Sequence, residues 1–187
     1  MKMNLEDYIR TVPDYPVPGV NFYDLNSLFA GPKFLEAMNQ LVTLTKYTFG
    51  NKTPTHIVGI ESRGFVMGSV LAYAMKLPFI MVRKKGAKYP GELLEQSYAL
   101  EYGEATLTLQ TGLLGHVDRC IIVDDLIATG GSVMATKQLI EQTGATVIGA
   151  TTIIDLAYVR DEQPLDLNTV STMRVPPNKE FEGPDFP

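Results

Sequence analysis

A single cysteine, Cys120, occurs among 187 residues, so no intrachain disulfide can form. It sits in the apolar run RCIIVD and reads as a small core residue. A reducing compartment fits that usage. No apolar run approaches the ~20 residues of a membrane-spanning helix. The start, MKMNLEDYIR, lacks the apolar stretch of a signal peptide, so a cytoplasmic protein is expected. Basic charge is not in excess: 16 Lys and Arg stand against 21 Asp and Glu, for a net −5. A chain of that balance is not built to coat nucleic acid or an anionic membrane, and any anion site must come from local basic clusters. Repeats and low-complexity segments are absent. So are G-x-x-x-x-G-K-[ST] and G-x-G-x-x-G, which removes P-loop and dinucleotide-fingerprint readings. The remainder, 45% hydrophobic and 20% charged, is ordinary globular composition, enough for one domain with a sizeable core.

The first thirty residues, with PDYPVPGVNFYDLNSLFAGP, are dense in turn signals and read as an irregular lobe. PKFLEAMNQLVTLTKYTF has helical spacing, with Pro32 in its first turn and Phe34, Met38, Leu41 and Leu44 or Thr45 along one side. THIVGI reads as a strand buried on both faces. A helix, FVMGSVLAYAM, and a second strand, LPFIMVR, follow. Residues 84–96 read as a basic, mobile loop, and QSYALEYGEATLTLQ as a hairpin turning at Gly103. RCIIVD is another buried strand. SVMATKQLIEQTG is a helix that Ser132 can cap and Gly144 can end. ATVIGATTIID is a last strand. Strand–helix alternation of this kind predicts an α/β fold around a parallel sheet, with ligands at the carboxyl ends of the strands.

Three suspicious segments fall at those ends. DDLIATGGS follows RCIIV. Residues 128–132 (Ala128, Thr129, Gly130, Gly131, Ser132) make a phosphate cradle at a helix start, where unpaired N–H groups and the dipole favour an anion. Asp124 and Asp125 would repel that phosphate, so they face another partner; vicinal sugar hydroxyls suit an acceptor-only group. Together these describe a ribose 5-phosphate. The plainer reading is a Gly-rich turn with acids that merely end a strand, and a phospho-accepting acidic pair is a third. ESRG follows THIVGI: Arg63 can grip a pyrophosphate bidentately, and Gly64 lets backbone come close. RKKGAKYPG follows LPFIMV, with Arg83, Lys84, Lys85 and Lys88 forming either a solvated basic face or a lid over polyphosphate.

In their order and spacing, PDYPVPGVNFYDL, GIESRGFVMG, VRKKGAKYPG, SYALEYGEATLTLQ and IIVDDLIATGGS resemble the type I phosphoribosyltransferases. The acidic-pair loop carries the superfamily likeness; ESRGF and SYALEYG resemble its adenine branch. The resemblance implies that family's fold: a mostly parallel sheet flanked by helices, a small N-terminal hood (about 1–32) and a mobile β-hairpin lid (84–104), in one domain with an extended tail (174–187). It also implies a reaction, in which a purine base and 5-phosphoribosyl 1-pyrophosphate (PRPP), with Mg²⁺, give the nucleoside monophosphate and pyrophosphate. Asp124 and Asp125 would hold the ribose hydroxyls, and 128–132 the 5′-phosphate. Ser62, Arg63, Arg83, Lys84 and Lys88 would line the pyrophosphate site, some across a homodimer interface, with a cis peptide at Glu61–Ser62. Glu101 would be the acid or base near purine N7, and Arg63 would join it in catalysis. Asn21, Phe22 and Leu156 would contact the base. Mg²⁺ would ride on PRPP and water near Asp124 and Asp125, with no direct protein ligands.

Two departures bear on base choice. In PGVNFYD, Tyr23 stands where the family has a basic residue and Asn21 where it has an aliphatic one; either reads equally as a surface or interface residue. The basic loop is one residue longer, with Ala87 before Lys88 and Tyr89 for Leu. A 6-oxopurine enzyme is therefore the alternative. A PRPP-sensing regulator would keep the acidic loop but need neither Glu101 nor the basic lid.

Overall fold

The computed structural model describes residues 4–99, 103–160 and 165–175. A two-stranded antiparallel sheet opens the chain, β1 (Arg10–Val12) on β2 (Phe22–Asp24), followed by α1 (Leu25–Ala30) and α2 (Phe34–Phe49). The N-terminal lobe is thus more regular than its Pro content predicts: Asp24 caps α1 through Asn26 N and takes the Arg10 guanidinium at 2.5 Å. Then come β3 (His56–Ile60), α3 (Gly64–Met75), β4 (Phe79–Lys84), β5 (Leu93–Ala99), β6 (Glu104–Gln110), β7 (Arg119–Val123), β8 (Leu126–Ile127), α4 (Gly131–Gln142), β9 (Thr146–Asp155) and β10 (Thr169–Arg174). Among the described residues eight strands form the main sheet, in the order β10-β9-β7-β3-β4-β6-β5, with β8 also on β9. The five strands from β10 to β4 run parallel, and the β5–β6 hairpin joins antiparallel at β4.

Strict alternation along the central strands explains the continuous apolar runs. Ile57, Ile121 and Val123 face one core, with Met38, Leu41 and Phe49 of α2 and Met67 and Leu71 of α3. Val58, Cys120 and Ile122 face the other, with Val133, Leu139 and Ile140 of α4 and Leu107 and Leu109 of β6. Each such side chain contributes about 1.5–3 kcal/mol by burial. Of the two candidates on α2, Thr45 faces inward: it is fully buried, donates to Leu41 O at 2.7 Å and meets Thr151 Oγ1 at 3.1 Å. Two aromatic rings sit in glycine slots. A Cβ on Gly59 or Gly68 would stand 2.7 or 2.5 Å from the Phe79 ring, and one on Gly149 would stand 2.2 Å from Phe49.

Three boundaries differ from the sequence reading. The loop expected over 84–96 ends earlier, because β5 begins at Leu93, paired with Gln110. β10 was not foreseen: it lies beside β9, and of its six residues Met173 alone is buried, so TVSTMR carries no apolar signature. Arg174 therefore belongs to a strand and Val175 is buried, so the tail starts later than 174. Residues 176–187 of the expected tail lie outside the described residues. Among the described residues no helix is long and apolar enough to cross a membrane.

Candidate active site

Parallel register sets the site. Gly59 of β3 pairs with both Met81 of β4 and Val123 of β7, so the three strands end at one level. The segments beginning at Glu61, Lys85 and Asp124 leave the sheet side by side.

Asp124 and Asp125 fill a break in one strand. β7 runs along β9 up to Val123, and β8 resumes on β9 at Leu126, paired with Ile154. Across the break, Asp124 N donates to Thr151 O at 3.2 Å, and Asp125 O accepts from Ile153 N and Ile154 N at 3.2 and 3.1 Å. The two carboxylates are consequently fixed to backbone and nearly buried, at 8% and 6% exposure. Asp124 Oδ1 accepts from Asp125 N at 2.9 Å and Oδ2 from the Ser132 hydroxyl at 3.3 Å. Burial, reinforced by the Asp125 charge, pushes the Asp124 carboxyl well above its ordinary value.

Facing them is the loop after β3. Its Glu61–Ser62 peptide is cis, Ser62 is exposed, and Arg63 Nε stands 2.8 Å from Asp125 Oδ2. That oxygen makes no hydrogen bond, so the contact is charge pairing alone. Gly64 does not leave room for a ligand as expected: a Cβ there would stand 2.6 Å from Val123 O. Its role is to let α3 start against the end of β7. Glu61 Oε2 ties the second loop, accepting from Arg83 Nε at 3.3 Å and Lys84 N at 2.9 Å. Arg83 also lies over the Tyr89 ring, 5.2 Å from its centroid. Lys84 and Lys88 are exposed, whereas Lys85 is paired with Glu95 at 2.8 Å.

The third loop ends at α4. Its N-cap is Gly130, with φ +87° and no side-chain cap, so the expected cap by Ser132 is not made: that hydroxyl is spent on Asp124. Thr129 Oγ1 accepts weakly from Gly131 N at 3.5 Å. Apart from that weak bond, the helix start keeps its backbone donors free of side-chain caps, the arrangement that binds anions. Tyr98 of β5 closes one side, 2.9 Å from where a Gly131 Cβ would be.

On the base side, Asn21 is exposed, and Phe22 is half-buried, edge-on to Tyr15 at 5.1 Å. Tyr23 points the other way and is 3% exposed, a core residue rather than a surface or interface one. Burial, then the neighbouring Tyr158 and Glu6, push its hydroxyl up to about 12. Leu156 is buried in the same core and donates its N–H to Ile127 O at 2.9 Å. Glu101 lies outside the described residues. The sequence reading missed Glu61 as a tie between loops, Tyr98 against the helix start, and Arg160, whose guanidinium reaches Asp155 and the carbonyls of Ile127 and Ala128. An isolated arginine after a strand carries no signal of such a role.

Among the described residues no cluster of three or more His, Cys, Asp or Glu could hold a metal. Two adjacent carboxylates, one with an oxygen lacking a hydrogen bond, are hard donors that fit Mg²⁺ approached through water or substrate.

Residues 24–183 match the phosphoribosyl transferase domain family. The chain is 42% identical to the adenine phosphoribosyltransferase of Rhodospirillum rubrum over 161 residues, 86% of this chain and 92% of that one. It is 47% identical to that of Synechococcus sp. (strain JA-3-3Ab) over 158 residues, 84% and 88% of the two chains. The crystal structure of adenine phosphoribosyltransferase from Rhodothermus marinus superposes with a TM-score of 0.79 at 37% identity, covering 91% of this chain and 96% of that one. The Saccharomyces cerevisiae enzyme, crystallised with adenine and an imino-altritol bisphosphate, gives 0.82 at 32% identity, over 89% and 95%. On the strength of that family match and these likenesses in sequence and fold, the chain belongs to the phosphoribosyltransferase family, among the adenine phosphoribosyltransferases.

Proposed function

We propose that this chain transfers the 5-phosphoribosyl group of PRPP to adenine, giving AMP and pyrophosphate in purine salvage. One observation carries the reading: two buried carboxylates interrupt a strand just ahead of an uncapped helix start with glycine at its cap. Asp124 and Asp125 take the ribose 2′- and 3′-hydroxyls, and Ala128, Thr129, Gly130, Gly131 and Ser132 take the 5′-phosphate. Hydroxyl donors arriving at the pair replace the water that Asp124 has lost and favour its ionised form. Ser62, Arg63, Arg83, Lys84 and Lys88 receive the pyrophosphate, with Glu61 holding Arg83 in place.

The C1′–O bond to pyrophosphate breaks as the C1′–N9 bond to adenine forms, and the base loses one proton. Glu101 manages that proton on the imidazole ring near N7. Phe22 and Leu156 flank the base, with Asn21 at its edge. Arg63 and Arg83 stabilise the departing charge. Asp124 and Asp125 would hold Mg²⁺ through PRPP and water, and the ion would supply further neutralisation of that charge. The segment 84–104 acts as the lid that keeps water from the sugar.

The same reading makes the enzyme a cytoplasmic homodimer. Support for self-association comes from an apolar face left open: Val66 and Tyr73, seven residues apart on α3, are 37% and 89% exposed, and Met81 of neighbouring β4 is 42% exposed. The reaction is tested by pyrophosphate release from PRPP and Mg²⁺ with adenine, hypoxanthine, guanine and xanthine in separate assays. Turnover with adenine alone is expected. Turnover with an oxopurine instead would move the specificity, and silence with all four would sink the catalytic reading.

A further inference from the structure

We propose that Arg160 is a positioning residue for the phosphate cradle, aiming its leading N–H groups by holding the preceding carbonyls from behind. The inference rests on residues 128–132 being that cradle. Arg160 lies at the end of a short turn, Ala157–Arg160, after β9. Its side chain is 10% exposed. Nη1 donates to Ile127 O at 3.2 Å and to Ala128 O, and Nη2 donates to Asp155 Oδ1, a carboxylate that is itself 9% exposed. A buried guanidinium thus grips two successive peptide oxygens, with its own orientation fixed by the partner acid.

The consequence follows from peptide geometry. Across a planar trans peptide, the C=O of one residue points opposite to the N–H of the next. Pinning the carbonyls of Ile127 and Ala128 toward Arg160 turns the N–H groups of Ala128 and Thr129 the other way, to the side away from Arg160. Those are the first two amides of the cradle. The same pinning removes two carbonyl lone pairs from any anion the cradle receives. A second contact braces the loop further along. Leu165 lies so close to Gly130 that a Cβ there would stand 2.3 Å from Leu165 Cδ2. Gly130 is where the chain passes through φ +87° into α4. The segment after β9 therefore backs the cradle at 127–128 and at 130. Ile127 O also accepts from Leu156 N, which links the cradle to the residue proposed to flank the base.

Lysine keeps the charge of arginine but cannot supply the planar fork that holds three acceptors. In Arg160→Lys and Arg160→Gln, the affinity for ribose 5-phosphate, measured by calorimetry, is expected to fall about tenfold or more, the loss of a charge-assisted contact. Pyrophosphate affinity, which depends on Arg63 and Arg83, is expected to stay within about twofold, inside the scatter of a neutral change. An equal fall for both ligands would mark Arg160 as merely structural and overturn the proposal. No change in either ligand would overturn it too. Should both variants fail to fold, Asp155→Asn, which keeps Arg160 but removes the charge that fixes its orientation, is read by the same pair of affinities. Gly130→Val tests the cradle by itself: unchanged ribose 5-phosphate binding there would defeat the cradle reading, whatever Arg160 does.

Discussion

Arg63 and Asp125 join the ends of two strands, Nε to Oδ2 at 2.8 Å, across the place where the sugar and the pyrophosphate of PRPP would meet. Each group is proposed for a different part of the substrate, so each is held by the other until both are claimed. Substituting Asp124→Asn and Asp125→Asn together keeps the shape and removes both charged acceptors. At about 1.5–3 kcal/mol for each charge-assisted bond, kcat/KM for PRPP falls by about 10²–10⁴. KM for adenine changes far less. Steady-state kinetics with each substrate varied in turn check this; unaltered PRPP kinetics would dismiss the diol role.

Glu101→Gln separates chemistry from binding. A positioned acid or base contributes about 10²–10⁴ in rate, so kcat drops by that order while PRPP affinity holds. Single-turnover rates alongside a PRPP titration distinguish the two. A kcat equal to wild type would make the carboxylate structural.

Tyr89 lies under Arg83, its ring centroid 5.2 Å from the guanidinium. Tyr89→Leu leaves Arg83 held by Glu61 alone and lowers kcat/KM for PRPP about two- to fivefold. The measurement that matters compares this variant with Tyr89→Phe, which keeps the ring and should behave as wild type.

Phe79 is wedged between Gly59 and Gly68 and meets Phe65 edge-on at 6.1 Å. A methyl group at Gly68 forces the ring aside. Overpacking of this kind costs about 1–3 kcal/mol, partly offset by the better helix propensity of alanine. Gly68→Ala therefore loses up to about 2 kcal/mol of stability, read as a lower urea midpoint. A stabilised variant would mean that the ring has room to move.

Burial, then the Asp118 charge, push the Cys120 thiol up from 9.0 to about 12. The folded state thus holds its proton more tightly than the unfolded chain. The stability this contributes is complete below pH 9.0 and drains away as pH rises toward about 12, by up to about 1.4 kcal/mol per pH unit. Tyr23 adds a similar loss from 10.0 to about 12. Denaturant unfolding across that range checks it. Cys120→Ala is less stable below pH 9.0, because it empties core volume, yet its alkaline slope is shallower than wild type. Equal slopes would assign the alkaline loss to other groups.

What the sequence made legible was whatever local chemistry governs. Runs such as HIVGI and CIIV announced strands because both faces of this sheet are covered, and the acidic pair ahead of ATGGS announced a site. Features decided by distant parts of the chain stayed hidden. β10 is a polar edge strand whose pairing depends on β9. Tyr23 is buried because β2 turns it into the N-terminal core, which the motif around it does not encode. Gly64 serves close packing on Val123, and Ser132 answers to Asp124, eight residues back. Arg160 meets its carbonyls 32 and 33 residues away.

The interrupted strand has a consequence on the timescale of hydrogen exchange. The amides of Asp124, Ile153 and Ile154 are bonded across the break, within a buried ladder of the sheet. They exchange only when the sheet itself opens, among the slowest protons of the molecule, whereas the amides of Thr129 and Gly131 exchange through small local openings. Substrate therefore lands on a floor as long-lived as the fold. The ordering entropy of binding falls on the loops around it.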